Sequence, residues 1–190
     1  MSLQLKPHLS FEDWLEGERV ALDERCELVD GEVFAMSGGS AEHHTIISNI
    51  NRELSIQLKG RPCHVYAQGM RLHVQAADAG KYPDLMALCG EQQFRDERRD
   101  LLRNPGLIVE VLSDSTEAYD RGTKFALYRR IPSLSDYLLV AQNRVSVELY
   151  SRGDDGRWIL SAHEDLDARV TLPSIGCKLA LAEVYEKIAL

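Results

Sequence analysis

The chain has 190 residues, of which 44% are hydrophobic and 27% charged. This composition is typical of a globular protein and excludes a collagen-like chain, a coiled coil or a disordered tail protein, and the length predicts a single domain over residues 1–190. Lys and Arg number 22 and Asp and Glu 30, so the formal net charge is −8. No generally basic surface is available to attract nucleic acid or anionic lipid, and a nucleic-acid partner would have to be bound locally or through cations.

The first half of the chain predicts helices and short strands in alternation. In chain order these are a short helix capped at Ser10 and ending near Gly17, a β-hairpin that turns at Asp30–Gly31, a long helix that ends at Lys59–Gly60, strand pieces over 63–74, and a strand that begins just beyond Pro83.

The second half predicts a central strand, a helix and further strands. In chain order these are a charged surface loop or short helix over 91–104, an almost wholly apolar strand over 105–112, a helix capped by Ser115 or Thr116 that runs up to Pro132, three strands within 136–162, and a closing helix from Leu179 to Leu190. The order of elements predicts an α/β or α+β fold, in which helices pack against a mixed sheet.

Four cysteines lie far apart in the sequence: Cys26, Cys63, Cys89 and Cys177. They form no CxxC pair, which argues against a zinc ribbon or a thioredoxin-like site and favours buried free thiols. The first residues lack the apolar core of a signal peptide, and no uninterrupted apolar stretch reaches the roughly 18 residues of a membrane span. We therefore expect a cytoplasmic protein that does not bind membranes.

Glu110 is the residue that a purely structural role explains least. Side chains alternate along a strand, so Glu110 shares a face with Ile108 and Leu112. A buried ionised carboxylate costs several kcal/mol unless it is paired or bound to a metal. Pairing with an arginine is the alternative interpretation. Asp84 opens an earlier strand after Pro83, where by itself it is typical of a turn.

Together, Asp84 and Glu110 could converge on one hard cation, which prefers oxygen ligands and can activate a bound water. A lysine is the usual third group in phosphodiester cleavage, because its ammonium stabilises the charge that develops in the transition state. Position 112 on the same strand face is Leu112, but Lys124 in the following helix could reach the site. The alternative is that Lys124 and Asp120 form an ordinary surface ion pair at i,i+4 spacing.

These residues carry a resemblance. The succession ELVDGE (27–32), YPDLMAL (82–88), LIVEVLS (107–113), DRGTK (120–124) and DYLLV (136–140) resembles the "putative restriction endonuclease" family of bacterial proteins, within the PD-(D/E)XK nuclease superfamily. The similarity covers roughly residues 24–150. It implies a restriction endonuclease-like mixed sheet of about four or five strands flanked by helices, a divalent-metal site for Mg²⁺ or Mn²⁺, and hydrolysis of nucleic-acid phosphodiester bonds.

The resemblance also assigns the site residues. Asp84 matches the Asp of the Pro–Asp pair and Glu110 the Glu of the E-x-K half-motif, and both are implied metal ligands. The lysine of that half-motif falls on Leu112, so its role is assigned to Lys124, as in members whose lysine has moved to the next helix. Glu27 matches a further carboxylate of the site, with three alternatives: Glu32, Glu42 and Glu53.

Histidines and one helical aspartate complete the expected site. His43 matches a histidine at the start of the long helix of the family, and we expect it, with Asp120, to support the ligands. His44 points about 100° away from His43 on a helix, so at most one of them can lie at the site. His64 and His73 lie in predicted strands without partners at ligand spacing, which favours partly exposed sheet positions.

The sequence therefore predicts a metal-dependent endonuclease with DNA as the expected substrate and, by analogy with duplex-cutting enzymes, a homodimer. The alternative is a binding or assembly protein that keeps the fold without turnover, which the acidic charge and Leu112 favour. A basic rim around the carboxylates would favour the nuclease, and dispersed cations would favour assembly. The candidates for the rim are Arg52, Lys59, Arg61, Arg71, Lys81, Arg121, Arg129 and Arg130.

Overall fold

A computed structural model describes residues 8–21, 24–36 and 38–190. Its helices are α1 (Phe11–Val20), α2 (Ala41–Leu58), α3 (Glu117–Tyr119), α4 (Phe125–Tyr128) and α5 (Leu181–Val184), with a 3₁₀ turn at Gln75–Ala77 and a π-helical turn at Asp120–Lys124. Its strands are β1 (Cys26–Val29), β2 (Glu32–Ala35), β3 (Cys63–Ala67), β4 (Arg71–Val74), β5 (Ala79–Lys81), β6 (Leu85–Cys89), β7 (Leu101–Leu102), β8 (Leu107–Leu112), β9 (Asp136–Ala141), β10 (Val147–Arg152), β11 (Trp158–His163), β12 (Arg169–Leu172) and β13 (Cys177–Ala180).

The strands form three sheets. The largest has six strands in the order β11-β10-β9-β8-β6-β3, a second has five in the order β2-β1-β5-β4-β7, and β12 pairs with β13. In the six-stranded sheet β8 and β9 are parallel and the other pairs antiparallel. The fold is therefore the α+β fold that the sequence predicts, with a mixed central sheet flanked by helices, and the sheet is wider than the resemblance implies.

Strand β8 is buried along its whole length because both faces of the six-stranded sheet are covered. Val109 and Val111 point into the core that α2 closes. Ile108 and Leu112 point into a second core, which also contains Tyr128. Glu110 belongs to this second face, so its carboxyl group lies among apolar side chains on the side of α3 and α4.

Helix α2 covers the first face of the sheet. Its N-cap is Ser40, whose hydroxyl accepts a hydrogen bond from the His43 N–H. Ile46, Ile50 and Leu54 recur at four-residue intervals and are fully buried against the sheet. The cap therefore fixes where the helix starts and holds His43 in the first turn.

The hairpin β1–β2 is the one that Asp30–Gly31 predicts. Both turn residues have positive φ, 47° and 74°, as a two-residue hairpin turn requires. Helix α1 packs beside this hairpin, and Trp14 Nε1 donates a hydrogen bond to the Cys26 carbonyl. Residue 17 lies inside α1, which continues to Val20, so the prediction that the helix ends at that glycine is too short.

Two predicted elements in charged or C-terminal segments are wrong. The segment 91–104, expected to lack strand structure, contains β7, whose Leu101 and Leu102 are buried and pair parallel with β4. The expected closing helix over 179–190 is instead β13 followed by the short α5. In β13 burial alternates with a period of two, because Cys177 and Leu179 face the core while Lys178 is exposed.

Two cysteines form a disulfide, contrary to the expectation of four free thiols. The antiparallel register of β3 and β6 places Cys63 opposite Cys89, and their sulfurs are bonded. Cys26 and Cys177 are free, and the second of these is buried. A pairing across neighbouring strands depends on register, which sequence spacing does not reveal.

The expectation for His73 is also wrong. Its side chain is 5% exposed and stacks on Phe11 of α1, with ring centroids 3.8 Å apart. His64, in contrast, is exposed on β3. Among the described residues, no helix is long and apolar enough to span a membrane.

Candidate metal and catalytic site

Two carboxylates meet where β6 and β8 pair. Leu85 lies opposite Val109 in their antiparallel register, and continuing that register by one residue places Asp84 opposite Glu110. Residues directly opposite each other on neighbouring strands point to the same face of a sheet. Asp84 and Glu110 therefore share one face, although they are far apart in the sequence.

The Glu110 carboxyl is almost completely buried, forms an ion pair with Lys124 and accepts a hydrogen bond from Tyr128. Lys124 Nζ lies 2.8 Å from Glu110 Oε1, and the Tyr128 hydroxyl donates to the same oxygen at 2.9 Å. Burial raises the pKa of Glu110 to about 8, the charge of Lys124 opposes this rise, and the nearby carboxylates of Asp84 and Asp120 add to it. The charge of Lys124 is therefore not enough to keep the Glu110 carboxyl fully ionised at neutral pH.

A π-helical turn between α3 and α4 places Asp120 and Lys124 near Glu110. Asp120 and Lys124, at the ends of this turn, are 3% and 8% exposed, and their charged groups are 3.4 Å apart. Tyr128 follows one further turn along the same face. π-helical turns occur often at functional sites, because the extra residue redirects the side chains of a helix. The pair is buried, so the interpretation of Asp120 and Lys124 as an ordinary surface pair is wrong.

Asp84 is held by a backbone group and by a histidine. Its Oδ2 accepts a hydrogen bond of 2.8 Å from the Val111 N–H, and its Oδ1 lies 3.1 Å from His43 Nε2. His43 reaches Asp84 from the first turn of α2. His44 points elsewhere, toward the Gln68 side chain, so one histidine of the pair contacts the site.

Glu27 lies on β1, beside the same cleft, and binds Lys81. Lys81 Nζ is 2.8 Å from Glu27 Oε2 and 2.7 Å from the Tyr119 hydroxyl, and the Lys81 side chain is fully buried. Burial alone would raise the pKa of Glu27, but the charges of Lys124 and Lys81 outweigh burial and lower it. Glu27 is therefore held ionised by cations of this chain.

These groups line a cleft of about 640 Å³. The site residues predicted from the sequence that line it are Glu27, His43, Asp84, Glu110, Asp120 and Lys124. The alternatives to Glu27, namely Glu32, Glu42 and Glu53, are not among its lining residues. Sequence reasoning missed the contacts of Tyr128 with Glu110 and of Lys81 with Glu27. The spacing of Tyr128 four residues after Lys124 is a signal that could have found the first of these.

Asp84 and Glu110 are the two carboxylates on one sheet face through which this cleft could hold a metal ion. Within 8–21, 24–36 and 38–190, no group of three or more His, Cys, Asp or Glu side chains is arranged to hold a metal ion. Mg²⁺ typically keeps several waters and binds through one or two carboxylates rather than in an all-protein cage. Two carboxylates with a raised pKa on one of them fit such an ion, because a cation would supply the missing positive charge.

The basic residues expected around the carboxylates do not form one cluster. Arg71 lines a neighbouring cleft and Lys81 binds Glu27. Four other residues of this set bind carboxylates or backbone carbonyls outside the cleft, namely Arg52, Arg61, Arg121 and Arg130. The predicted rim is therefore dispersed.

Comparison with known proteins identifies relatives over most of the chain. Residues 10–182 match the Uma2 family, described as "Putative restriction endonuclease". The chain is 36% identical over 183 residues to "Uncharacterized protein slr1290" of Synechocystis sp. (strain ATCC 27184 / PCC 6803 / Kazusa), which covers 96% of this chain and 94% of that protein. It is 35% identical over 153 residues to "Uncharacterized protein sll1609" of the same strain, covering 80% and 86%.

A solved structure has the same fold. The crystal structure of a putative nuclease belonging to DUF820 from Anabaena variabilis ATCC 29413 matches with a TM-score of 0.77 over 95% of this chain and 99% of that chain. At 16% identity this match establishes the fold alone. The family match and the Synechocystis relatives span nearly the whole chain, and on that basis this protein belongs to the Uma2 family.

Proposed function

We propose that the protein is a metal-dependent endonuclease that hydrolyses phosphodiester bonds of nucleic acid, with Mg²⁺ or Mn²⁺ held by Asp84 and Glu110. One observation carries the proposal: Lys124 Nζ lies 2.8 Å from the Glu110 carboxylate, and both residues line the same cleft as Asp84. Membership of the Uma2 family supports the same activity.

The chemistry divides between the ion and the side chains. A divalent ion held there supplies Lewis-acid stabilisation of the charge that develops on the phosphate. Lys124 Nζ is positioned to hold the attacking water and to neutralise charge on the phosphate oxygens in the transition state. Tyr128 orients the Glu110 carboxylate, and His43 together with the Val111 N–H orients Asp84. Burial would lower the pKa of Lys124, but the negative charges of Glu110, Glu27 and Asp120 outweigh burial and raise it, so the lysine stays protonated.

Cleavage assays test this proposal. Supercoiled plasmid, single-stranded DNA and RNA are incubated with Mg²⁺ or Mn²⁺ and the wild type, Asp84→Asn, Glu110→Gln, Lys124→Ala and Tyr128→Phe. Removal of a group that stabilises transition-state charge typically lowers the rate about a hundred- to a thousandfold. We expect such losses for the first three variants and a smaller loss for Tyr128→Phe. Arg157→Ala, which removes an exposed cation paired with Asp155, serves as the matched control and should retain full activity.

The second candidate function is a non-catalytic binding or assembly protein. The dispersed basic residues favour it, because a nuclease usually gathers cations along the path of its substrate. Bound Mn²⁺ without cleavage of any of the three substrates would support this alternative. A homodimer is expected only if the nuclease cuts both strands of a duplex. The molar mass measured by light scattering tests whether the protein is a dimer.

A further inference from the structure

Two further clefts continue from the candidate site across the surface. The second cleft, of about 640 Å³, shares His43, Tyr82 and Asp84 with the cleft that contains Glu110. The third, of about 480 Å³, shares Gln68, Gly69 and Arg71 with the second. The three clefts therefore form one continuous groove, which leads away from the site past Gln68–Gly69.

Among the residues that the structure describes, two arginines along this groove have no carboxylate partner. Arg25 lines the second cleft and Arg99 the third, and both side chains are exposed. Neither forms an ion pair with a carboxylate of the residues that the structure describes. Their guanidinium groups lie 5.7 Å from the Tyr82 ring centroid and 4.5 Å from that of Phe94. Arg99 also donates a hydrogen bond to the neutral Gln92 side chain, so within the described part of the chain no carboxylate neutralises either charge. The aromatic rings limit the conformations of both arginine side chains.

Aromatic faces lie at both ends of the groove. Phe34 lines the first cleft and is 50% exposed, although most phenylalanines are buried. At the other end Tyr66 lines the third cleft and contacts Phe94 edge-on. A base can stack on such a ring only when it is not stacked within a duplex, and a groove that combines arginines with aromatic rings is typical of single-strand binding.

We propose that this groove binds a single strand of nucleic acid on one side of the bond that is cleaved. Arg25 and Arg99 contact phosphates of this strand in the second and third clefts, and Phe34 stacks on an unpaired base next to the cleavage site. The inference rests on the proposed nuclease function and narrows its substrate class to single-stranded DNA or RNA, or to strands locally separated. A single chain provides the whole groove, so this substrate does not require a homodimer.

The carboxylates along the groove provide a second test of the proposal. Asp100 is paired with Arg19 and Arg71, and Glu18 accepts a hydrogen bond from the Tyr82 hydroxyl. Glu24, in contrast, is exposed in the second cleft and would repel a phosphate. Removing its charge should therefore strengthen binding, whereas removing Arg25 and Arg99 should weaken it.

Fluorescence anisotropy measures the binding. The probes are labelled single-stranded DNA and RNA of about twelve nucleotides, together with the matching duplex, in EDTA to prevent turnover. For the Arg25→Ala/Arg99→Ala variant we expect at least about tenfold weaker binding of both single strands, and a slope of log K against log salt smaller by about 1.4, at about 0.7 per phosphate contact. Glu24→Gln should bind more tightly. Arg169→Ala, an exposed arginine that lines none of the three clefts, should bind as the wild type does.

Cleavage kinetics separate this inference from the proposed function. In Mg²⁺ or Mn²⁺ the double variant should raise KM for the longer strand with little change in kcat, and should cleave a dinucleotide as the wild type does. Cleavage by the wild type with no effect of the double variant on KM or binding overturns the groove assignment alone. Single-strand binding that the variant weakens, without cleavage by any protein, supports the groove and contradicts the nuclease. Tighter binding of the duplex than of either single strand overturns the single-strand assignment.

Discussion

Lys124 Nζ lies 2.8 Å from Glu110 Oε1, and the two side chains are 10% and 4% exposed. An ion pair in this environment differs from a surface pair, because each partner depends on the other to remain charged. Loss of one partner leaves an uncompensated charge in an apolar surrounding, which typically costs about 3–5 kcal/mol. Variants of this pair therefore affect stability as well as the proposed reaction, and the two effects must be measured separately.

The first prediction concerns the coupling of this pair. Lys124→Met should lower the free energy of unfolding by about 3 kcal/mol, and by less at a pH where Glu110 takes up a proton. Adding Glu110→Gln to this variant should recover about 0.5–3 kcal/mol of the loss. Urea unfolding of the single and double variants measures the coupling. Lys178→Met, at an exposed position, is the control. Strictly additive effects would mean that the two side chains do not interact in solution.

The second prediction concerns pH and Glu110 in the metal-free protein. The pKa of Glu110 is raised from its ordinary 4.5 to about 8. Its contribution to stability is therefore fully present below about pH 4.5 and is lost as the pH rises through about 8. The free energy of unfolding of the wild type should fall relative to that of Glu110→Gln over this window, by at most about 1.4 kcal/mol per pH unit. Parallel curves for the two proteins would show that the pKa is not raised.

The third prediction concerns metal binding. Because a bound cation favours the ionised carboxylate, binding of Mg²⁺ or Mn²⁺ below about pH 8 should release close to one proton from Glu110. Calorimetry in buffers of different ionisation enthalpy measures this number, and the apparent affinity should rise with pH up to about 8. Asp84→Asn and Glu110→Gln should both bind weakly, and Glu110→Gln should release no proton from this site. Unchanged binding in both variants would place the metal elsewhere.

The fourth prediction concerns the disulfide between Cys63 and Cys89, which are 26 positions apart. Closing a loop of this length stabilises a fold by about 2–4 kcal/mol. Reduction, or the Cys63→Ser/Cys89→Ser variant, should lower the midpoint of urea unfolding accordingly. Cys26→Ser is the control, since that thiol is free. Thiol titration of the unfolded protein should find two free thiols before reduction and four after it; four from the start would contradict the bond.

The fifth prediction concerns the contact between α1 and β5. A Cβ at Gly80 would lie 2.2 Å from the Trp14 ring, so Gly80→Ala must displace the indole or β5. We expect a loss of about 1–3 kcal/mol in stability. In a Trp158→Phe background the fluorescence of Trp14 should shift to the red as its environment becomes more polar. Gly17→Ala, where a Cβ meets no atom within 4 Å, should leave the spectrum unchanged.

The sequence alone determined the elements whose patterns are local. The almost wholly apolar run over 107–112, the turn at Asp30–Gly31 and the helical spacing from Ile46 to Leu58 each predict a local element, and β8, the hairpin and α2 follow them. Glu110 also stood out locally, because it interrupts an apolar strand face. Burial of an ionisable group is visible in such a pattern before any contact is known.

Only the tertiary structure decided which distant residues meet. The register of β6 and β8 sets Asp84 opposite Glu110, and that of β3 and β6 sets Cys63 opposite Cys89. Register depends on how whole strands pack, and a slip of one residue would turn these side chains to the other face. The π-helical turn that buries Lys124 with Asp120 likewise forms against the sheet, so a spacing that suits a surface ion pair becomes part of a buried site. The local pattern fixes what each segment can form, and the long-range packing decides which groups share one site.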